Sequence, residues 1–244
     1  MIELTPVAGP GFLHHPRVQV RACQFHYDGK GVVEGVTAPV GVGVPVLPEN
    51  LMRAVPKRQA EFLAGRLAAG IALQSLNQPG PVPVGEDRSP QWPAGTTGSI
   101  SHTDHLAIAV VARVTDCCGL GIDIEPVMDM ETAANLQGMI ARPEELALQP
   151  KRLSSPQFLT QLFSAKEALY KAVFPRLQQV LEFHDARVLN VHDNVLQLAL
   201  CSNDLPGWAR QPFNVSSCLS DGMYFSWCYQ LIPSMDHEVN TCLI

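Results

Sequence analysis

The spacing of apolar and polar residues divides the first part of the chain into strands and one long helix. Alternation over 17–27 (RVQVRACQFHY) predicts a strand, and 41–50 (GVGVPVLPEN) is predicted as a second extended segment. Apolar residues three or four apart, behind a leading proline, predict a helix over 56–76. A loop rich in proline and glycine follows over 77–98, and the apolar run at 99–114 is predicted as one strand.

The second part of the chain repeats this order of elements. GLGIDIEP (119–126) predicts a strand. The remaining predicted elements are helices over 129–139, 142–149 and 155–174, strands over 180–191 and 195–200, and a hairpin over 213–232 that turns at Asp221–Gly222. The element order therefore predicts an α+β fold of two similar halves, 1–116 and 117–244, each with a main helix packed on an antiparallel sheet.

Composition excludes several classes of protein. The chain is 46% hydrophobic and 16% charged, enough apolar material for a core and too little charge for a disordered protein. A net charge of -6 argues against a general nucleic-acid binder but leaves a local basic pocket open. No apolar run approaches the roughly 20 residues that span a bilayer, and no secretory signal is visible. The seven cysteines are odd in number and include no C-x-x-C pair, which favours reduced thiols in a cytoplasmic protein.

The strand at 119–126 carries two acids that share one face. Asp123 and Glu125 are two residues apart, so their side chains project together, roughly 7 Å apart at the backbone, while Ile122 and Ile124 point into the core. A divalent cation would relieve the repulsion of the two carboxylates, and oxygen ligands suit Mg²⁺. A half-buried strand with its polar face in water explains the same pattern.

Two other segments hold polar groups suited to phosphate. Ser101 and His102 lie in GSISHTDH, at the mouth of the glycine-rich loop, where hydroxyl, imidazole and backbone N–H groups could bind an anion or simply form a polar strand edge. A Ser-His-Asp triad is unsupported because adjacent strand residues point to opposite faces. Arg58 and Arg66, about 12 Å apart along the predicted helix, could bracket one anion or be solvated.

The helix at 155–174 contains three charged residues in an apolar run, QLFSAKEALYKAV. Glu167 and Lys171 are four residues apart with the acid first, the preferred order for a surface ion pair. Lys166 completes the set. The local pattern leaves a surface pair and half of an active site equally open.

Taken together, GSISHT, GIDIE and FSAKEALYK occur in the order seen in the Sfp-type 4'-phosphopantetheinyl transferases, which the chain resembles over about 56–174. The upstream texts KRQAEFLAGR and PVGEDRSPQWPAG resemble the branch named for enterobactin synthase component D. One departure is Phe163, which stands where many relatives have Trp. The resemblance implies two α+β halves with the active site in the cleft between them.

The resemblance also implies a role for each matching residue. Mg²⁺, or Mn²⁺ instead, is expected on Asp123, Glu125 and Glu167. The coenzyme A contacts are expected to be Lys166 and Lys171 on the diphosphate, Ser101 and His102 on phosphate, Arg66 with its neighbour Arg58 on the 3'-phosphate, and Arg88 and Pro90 beside the adenine. The catalytic residues are expected to be Glu167, Lys171 and His102.

The implied reaction transfers the 4'-phosphopantetheine arm of coenzyme A to a serine of an apo acyl or peptidyl carrier protein. Fatty-acid, polyketide and siderophore carriers all remain open as the partner, and a monomer is expected. The candidate docking surface follows the metal strand and consists of Met128, Met130, Leu136, Met139 and Ile140, with Arg142, Lys151 and Arg152 nearby. These apolar residues could equally be core. The alternative functions are a carboxylate-metal phosphohydrolase and a non-catalytic coenzyme A-binding module.

Overall fold

Nine strands and four α-helices occur within residues 2–27, 38–202 and 204–233, which this computed structural model describes. The strands are β1 (Ile2–Ala8), β2 (Gln19–Tyr27), β3 (Thr96–His102), β4 (Leu106–Arg113), β5 (Cys117–Pro126), β6 (Ala186–His192), β7 (Val195–Leu200), β8 (Phe213–Ser220) and β9 (Met223–Leu231). The helices are α1 (Pro56–Ser75), α2 (Met130–Ile140), α3 (Pro143–Leu146) and α4 (Ser155–Leu177). The strands form two antiparallel sheets, ordered β1-β2-β4-β3 and β5-β9-β8-β7-β6.

Each long helix covers one of the two sheets. On α1, Leu63 and Leu67 are buried against the first sheet, and Pro56 occupies the first turn, where its missing N–H is no loss. On α4, Leu162 and Leu169 are buried against the second sheet, and Ser154 caps the helix by accepting a hydrogen bond from the backbone of Gln157. The predicted α+β fold with two sheet-and-helix halves is confirmed.

Strand β5 joins the two halves because its two faces pack against different partners. Ile122 and Ile124 share a buried core with Ile108 and Val110 of β4 in the first sheet. The opposite face of β5 meets α4, and there the strand carries glycine at Gly119 and Gly121 ahead of its two acids. A Cβ at Gly121 would lie 1.8 Å from the carbonyl oxygen of Ala168, and one at Gly119 would lie 2.6 Å from that of Ala172. The absence of side chains therefore lets α4 approach the strand directly.

The segment predicted as one strand over 99–114 is a hairpin. Strand β3 ends at His102 and β4 begins at Leu106, and the Thr103 amide donates to the Leu106 carbonyl at 2.8 Å. The single-strand prediction was wrong because the polar residues Asp104 and His105 are a turn rather than exposed positions of a strand.

Other element predictions differ in smaller ways. Strand β1 was not predicted; it contains Pro6 and lies at the edge of its sheet, the position where sheets tolerate proline. Residues 41–50 belong to neither sheet, and the strand predicted from residue 180 begins at Ala186, after a 3-10 turn at Phe183–Asp185. The hairpin turn at Asp221–Gly222 is confirmed, with positive φ at both residues. None of the helices in the described ranges is long and apolar enough to cross a membrane.

Candidate active site

The carboxylate of Asp123 lies at the centre of a buried hydrogen-bond cluster. Lys171 Nζ on α4 donates to Asp123 Oδ1 at 2.6 Å, and the Ser101 hydroxyl on β3 donates to the same oxygen at 3.0 Å. Ser101 Oγ also accepts the backbone N–H of Ile124 at 3.2 Å. Asp123 is 2% exposed, and its second oxygen, Oδ2, is buried without a hydrogen-bond partner. The cluster brings together three elements from both halves and leaves one buried acceptor unused.

The two other acids of the expected metal set lie near enough to influence each other. The pKa of Glu125 is raised to about 7: burial is the largest cause, the charges of Asp123 and Glu167 also raise it, and Lys171 lowers it. Burial also raises the pKa of Glu167, which Lys171 lowers and Asp123 raises. Repulsion of this kind is what a divalent cation relieves, so these three carboxylates are the residues that could hold one. Within the described ranges, no three His, Cys, Asp or Glu side chains stand in ready-made ligand geometry.

The raised pKa of Glu125 predicts a stability that falls with pH in the presence of a chelator. The folded protein favours the protonated carboxyl of Glu125. The stabilisation from this preference is fully present below the pKa of the unfolded state, 4.5, and is lost as the pH rises through about 7. In EDTA, the melting temperature of the wild type should fall relative to that of Glu125→Gln between those pH values. Thermal unfolding followed by circular dichroism would measure this difference in melting temperature. Melting temperatures of the two proteins that change in parallel with pH would contradict the prediction.

His102 lies beside α1, next to the ion pair of Arg58 and Glu61. The sequence analysis did not connect this pair with His102. Arg58 Nη1 contacts His102 Nε2 at 3.0 Å, and Glu61 Oε2 lies 3.2 Å from Arg58 Nη1 and 3.8 Å from His102 Nδ1. An arginine N–H always donates, so Nε2 accepts and the imidazole is neutral with its proton on Nδ1, facing Glu61. Burial lowers the pKa of His102, Glu61 raises it, and Arg58 and Lys171 lower it.

Glu61 is therefore a site residue that sequence reasoning missed. It is 8% exposed and lies within one helical turn of Lys57 and Arg58. Its only signal in the sequence was an acid between two arginines on a predicted helix, and that pattern is equally typical of a solvated helix face.

Arg66 lies farther along α1, beside a cavity of about 680 Å³. Its guanidinium stacks over the ring of Phe62 at 4.7 Å, and its Nε is buried without a hydrogen-bond partner. Burial and the charge of Arg58 lower its pKa to about 10. The cavity walls are proline, glycine and valine residues of 41–48 and 79–84. An apolar cavity with one cation and one unused donor suits a flat ligand that carries an anion.

The expected adenine residues lie in a tight turn of the same long loop. The Gly85 amide donates to the Ser89 carbonyl at 2.8 Å, Arg88 has a φ of 67° and is exposed, and Pro90 pairs with Val84. The charge of Asp87 contributes to the raised pKa of Tyr170 on α4, after burial and Glu167. The turn thus approaches α4 from the first half, but neither Arg88 nor Pro90 lines the cavity at Arg66.

Lys166 is not placed where the resemblance implied. Its Nζ donates to Glu145 and to the backbone carbonyls of Ile140 and Phe183, at 2.8 to 3.1 Å, and its side chain is 2% exposed. These partners use all three N–H groups of the ammonium, so the expected contact with a diphosphate is wrong for the conformation described here. The physical reason is helical geometry: residues 166 and 167 point about 100° apart, and only the second faces Asp123.

A second cavity, of about 240 Å³, opens on the α4 side of the acids. Lys166, Glu167 and Tyr170 line it from α4, and the segment 180–183 forms the facing wall. Leu169 and Leu200 add apolar lining. The cavity is thus of mixed polarity, and one of the three carboxylates lines it.

The expected docking surface is only partly exposed. Met130 and Met139 on α2 are 72% and 51% exposed. Ile140 is fully buried, and Met128 and Leu136 pack against the core of the second half. The five residues therefore divide into an exposed methionine pair and core positions; inclusion of Ile140 in the surface was wrong.

Comparison with known proteins gives two matches to family models. A model described as the 4'-phosphopantetheinyl transferase N-terminal domain matches residues 47–112, and a model of the 4'-phosphopantetheinyl transferase superfamily matches residues 119–219. Both halves that contribute to the Asp123 cluster thus fall within models of one enzyme class.

Curated relatives agree with this assignment. The chain is 38% identical over 162 residues to enterobactin synthase component D of Salmonella typhi, covering 66% of this chain and 65% of that protein. It is 36% identical over 154 residues to 4'-phosphopantetheinyl transferase Svp of Streptomyces mobaraensis, covering 62% of each. It is 38% identical over 151 residues to 4'-phosphopantetheinyl transferase PptT of Mycobacterium tuberculosis, covering 60% of this chain and 66% of the relative. The chain thus spans about two thirds or less of the length of these relatives.

Proposed function

Because the chain belongs to the 4'-phosphopantetheinyl transferase superfamily, we propose that it transfers the 4'-phosphopantetheine arm of coenzyme A to a serine of an apo acyl or peptidyl carrier protein. The serine oxygen forms a bond to the phosphorus that carries the arm. The bond from that phosphorus to the bridging oxygen breaks, and adenosine 3',5'-bisphosphate leaves with the electron pair. The observation that supports this best is the Asp123–Lys171 contact, which joins acid and base at the junction of the halves.

Asp123, Glu125 and Glu167 are proposed to hold Mg²⁺, with Mn²⁺ as an alternative ion. Two observations support this fit: the unpartnered Oδ2 of Asp123 and the raised pKa of Glu125. When bound, the ion supplies Lewis-acid neutralisation of the diphosphate charge. Ser101 supports the site by holding Asp123 rather than by contacting phosphate, since its hydroxyl already donates to Oδ1.

The proton and charge steps are assigned to three side chains. Glu167 is the proposed base for the serine hydroxyl, because its carboxylate lines the cavity beside the Asp123 cluster, where the serine would meet the phosphorus. Lys171, a partly exposed cation in contact with Asp123, is proposed to offset the charge on the phosphate oxygens. His102 is neutral, and its proposed contribution is a hydrogen bond to phosphate from Nδ1–H rather than a charge. This transfer needs positioning and charge neutralisation more than covalent help.

The nucleotide end of coenzyme A is proposed to lie against α1, with Arg58 and Arg66 on the 3'-phosphate. Arg66→Ala should raise the KM for coenzyme A about tenfold or more while kcat changes little, because a charge-assisted contact made equally in ground and transition states is lost. The same variant should leave the KM for 3'-dephospho-coenzyme A unchanged. Exposed Arg53, just before α1, provides the matched control Arg53→Ala. An equal loss in kcat and kcat/KM with either substrate would contradict the role of Arg66.

The pantetheine arm is proposed to enter the cavity beside Glu167. The arm contains amides within an extended chain, and the cavity combines carboxylate and backbone groups with leucine side chains. Arg88 and Pro90 are proposed to approach the adenine from the turn that faces α4. Coenzyme A would then bridge both halves, with its diphosphate at Asp123.

The exposed methionines of α2 are proposed to receive the carrier protein. Met130→Asp should raise the KM for the carrier about tenfold without changing the KM for coenzyme A, because a charge replaces an adaptable apolar contact. Val114→Asp, at a residue 46% exposed on another surface, is the matched control. An unchanged carrier KM in Met130→Asp would remove α2 from the docking surface.

Mass spectrometry of an apo carrier protein tests the proposed function. Incubation with the chain, coenzyme A and Mg²⁺ should add the mass of one phosphopantetheine arm, and EDTA should prevent it. Consumption of coenzyme A without any carrier would instead indicate the phosphohydrolase, which uses the same acids with water as the nucleophile. Binding of coenzyme A with neither product would indicate a non-catalytic binding module.

A further inference from the structure

The buried ion pair of Glu145 and Lys166 has no place in the proposed chemistry. Lys166 Nζ lies 2.9 Å from Glu145 Oε1, and the two side chains are 2% and 0% exposed. A buried pair of this kind is weak evidence for stability by itself, because removing both charges from water offsets most of their attraction. The structural role of the pair therefore depends on the other groups that Glu145 and Lys166 bind by hydrogen bonds.

The pair satisfies four backbone groups from four different segments. Lys166 Nζ donates to the carbonyls of Ile140, which ends α2, and Phe183, which begins the 3-10 turn. Glu145 accepts the N–H of Arg142, just before α3, and the N–H of Val188 in β6, each at 2.8 Å. An apolar pair could fill the same volume, but it would leave these four groups unpaired in the interior.

One of the anchored segments forms the wall of the cavity beside Glu167. Phe183 is held twice from α4: Lys166 binds its carbonyl, and the ring of Phe163 packs on its ring at a centroid distance of 5.2 Å. Residues 180–183 line the cavity opposite Glu167 and Tyr170. The ion pair therefore sets the distance between this wall and the helix that carries the proposed base.

We infer that Glu145 and Lys166 are positioning residues that hold segment 180–183 as the wall of the pantetheine cavity and so determine affinity for the arm of coenzyme A. The inference rests on the proposed function. The arginines proposed for the nucleotide end lie on α1 of the other half, and the hydrogen bonds of the pair are confined to the second half. Loss of the pair should thus weaken binding of the arm and spare binding of the nucleotide.

The two ends of coenzyme A can be tested separately by titration calorimetry with the full chain. Adenosine 3',5'-bisphosphate carries the nucleotide end without the arm. In Glu145→Gln and Lys166→Met the Kd for coenzyme A should rise about tenfold, while the Kd for the bisphosphate stays within about twofold of wild type. Arg187→Met removes an exposed cation next to Val188 and should change neither value.

Turnover adds a second measurement. In both variants the KM for coenzyme A should rise with the Kd, and kcat should change by less than about twofold, because the wall does not touch the reacting atoms. Lys166 also lines the cavity, so Glu145→Gln, which keeps the shape of a side chain outside the lining, decides the question, including when Lys166→Met does not fold. Equal weakening of both ligands, or wild-type affinity for coenzyme A, would overturn the inference. The calorimetry needs no carrier protein, so failure of the proposed transfer would be seen separately, as wild-type protein that binds coenzyme A without modifying a carrier.

Discussion

Asp123→Asn is expected to reduce kcat/KM for carrier modification by about 10²–10³-fold while the protein remains folded. Asparagine has nearly the same shape, but its neutral amide removes the negative charge that pairs with the Lys171 ammonium at 2.6 Å and keeps only one of the two acceptor oxygens. The proposed cation and the proposed charge-neutralising lysine would both lose their common partner. Steady-state rates, measured by mass spectrometry of the carrier across a range of Mg²⁺ concentrations, would check this.

A matched variant separates the loss of charge at the site from any effect that an Asp→Asn change has elsewhere in the protein. Asp221→Asn changes an exposed aspartate in the turn between β8 and β9, at a positive φ that asparagine also adopts. It should keep wild-type rates. Activity of Asp123→Asn near that of Asp221→Asn would remove Asp123 from the active site, whereas loss of folding would show only that the buried cluster is structural.

Gly121→Ala is expected to lower the free energy of unfolding by about 3 kcal/mol or to prevent folding. The added Cβ would lie 1.8 Å from the Ala168 carbonyl oxygen and 2.8 Å from the Ala172 nitrogen, and these are backbone atoms that cannot rotate away. Relief requires α4 to move off β5. Because α4 carries Lys171 and β5 carries Asp123, any folded fraction should also lose activity.

Gly138→Ala is the control for this substitution. Gly138 lies in α2, where nothing is within 4 Å of the added carbon, so alanine should raise the free energy of unfolding by about 0.5–1 kcal/mol. Urea titrations of the two variants would compare them. Equal stability of Gly121→Ala and wild type would contradict the close packing of α4 on β5.

The parts of the site that follow from local periodicity could be predicted without a structure. Alternation along β5 places Asp123 and Glu125 on the face opposite Ile122 and Ile124, and the described core contains both isoleucines. Helical spacing places Glu167 and Lys171 one turn apart. These predictions depend only on the repeat of a strand or a helix, which neighbouring residues determine among themselves.

The parts of the site that depend on partners distant in the chain could not be predicted from the sequence. Nothing near Lys166 in the chain indicates that it pairs with Glu145, 21 residues away, rather than with a phosphate. Glu61 can be identified as a site residue only from its proximity to His102, which lies on a strand that packs beside α1. The polar pair Asp104 and His105 fits an exposed strand position and a turn equally well, and only the pairing of β3 with β4 decides between them.

By itself, the sequence determined the class of fold, the faces of its strands and helices, and the charged residues that chemistry would need, since each follows from local spacing and residue type. Only the tertiary structure decided which of those charges meet. That choice depends on Gly119 and Gly121, which let α4 lie directly on β5, and so bring Lys171 to Asp123 while Lys166, on another face of the same helix, is turned into the core.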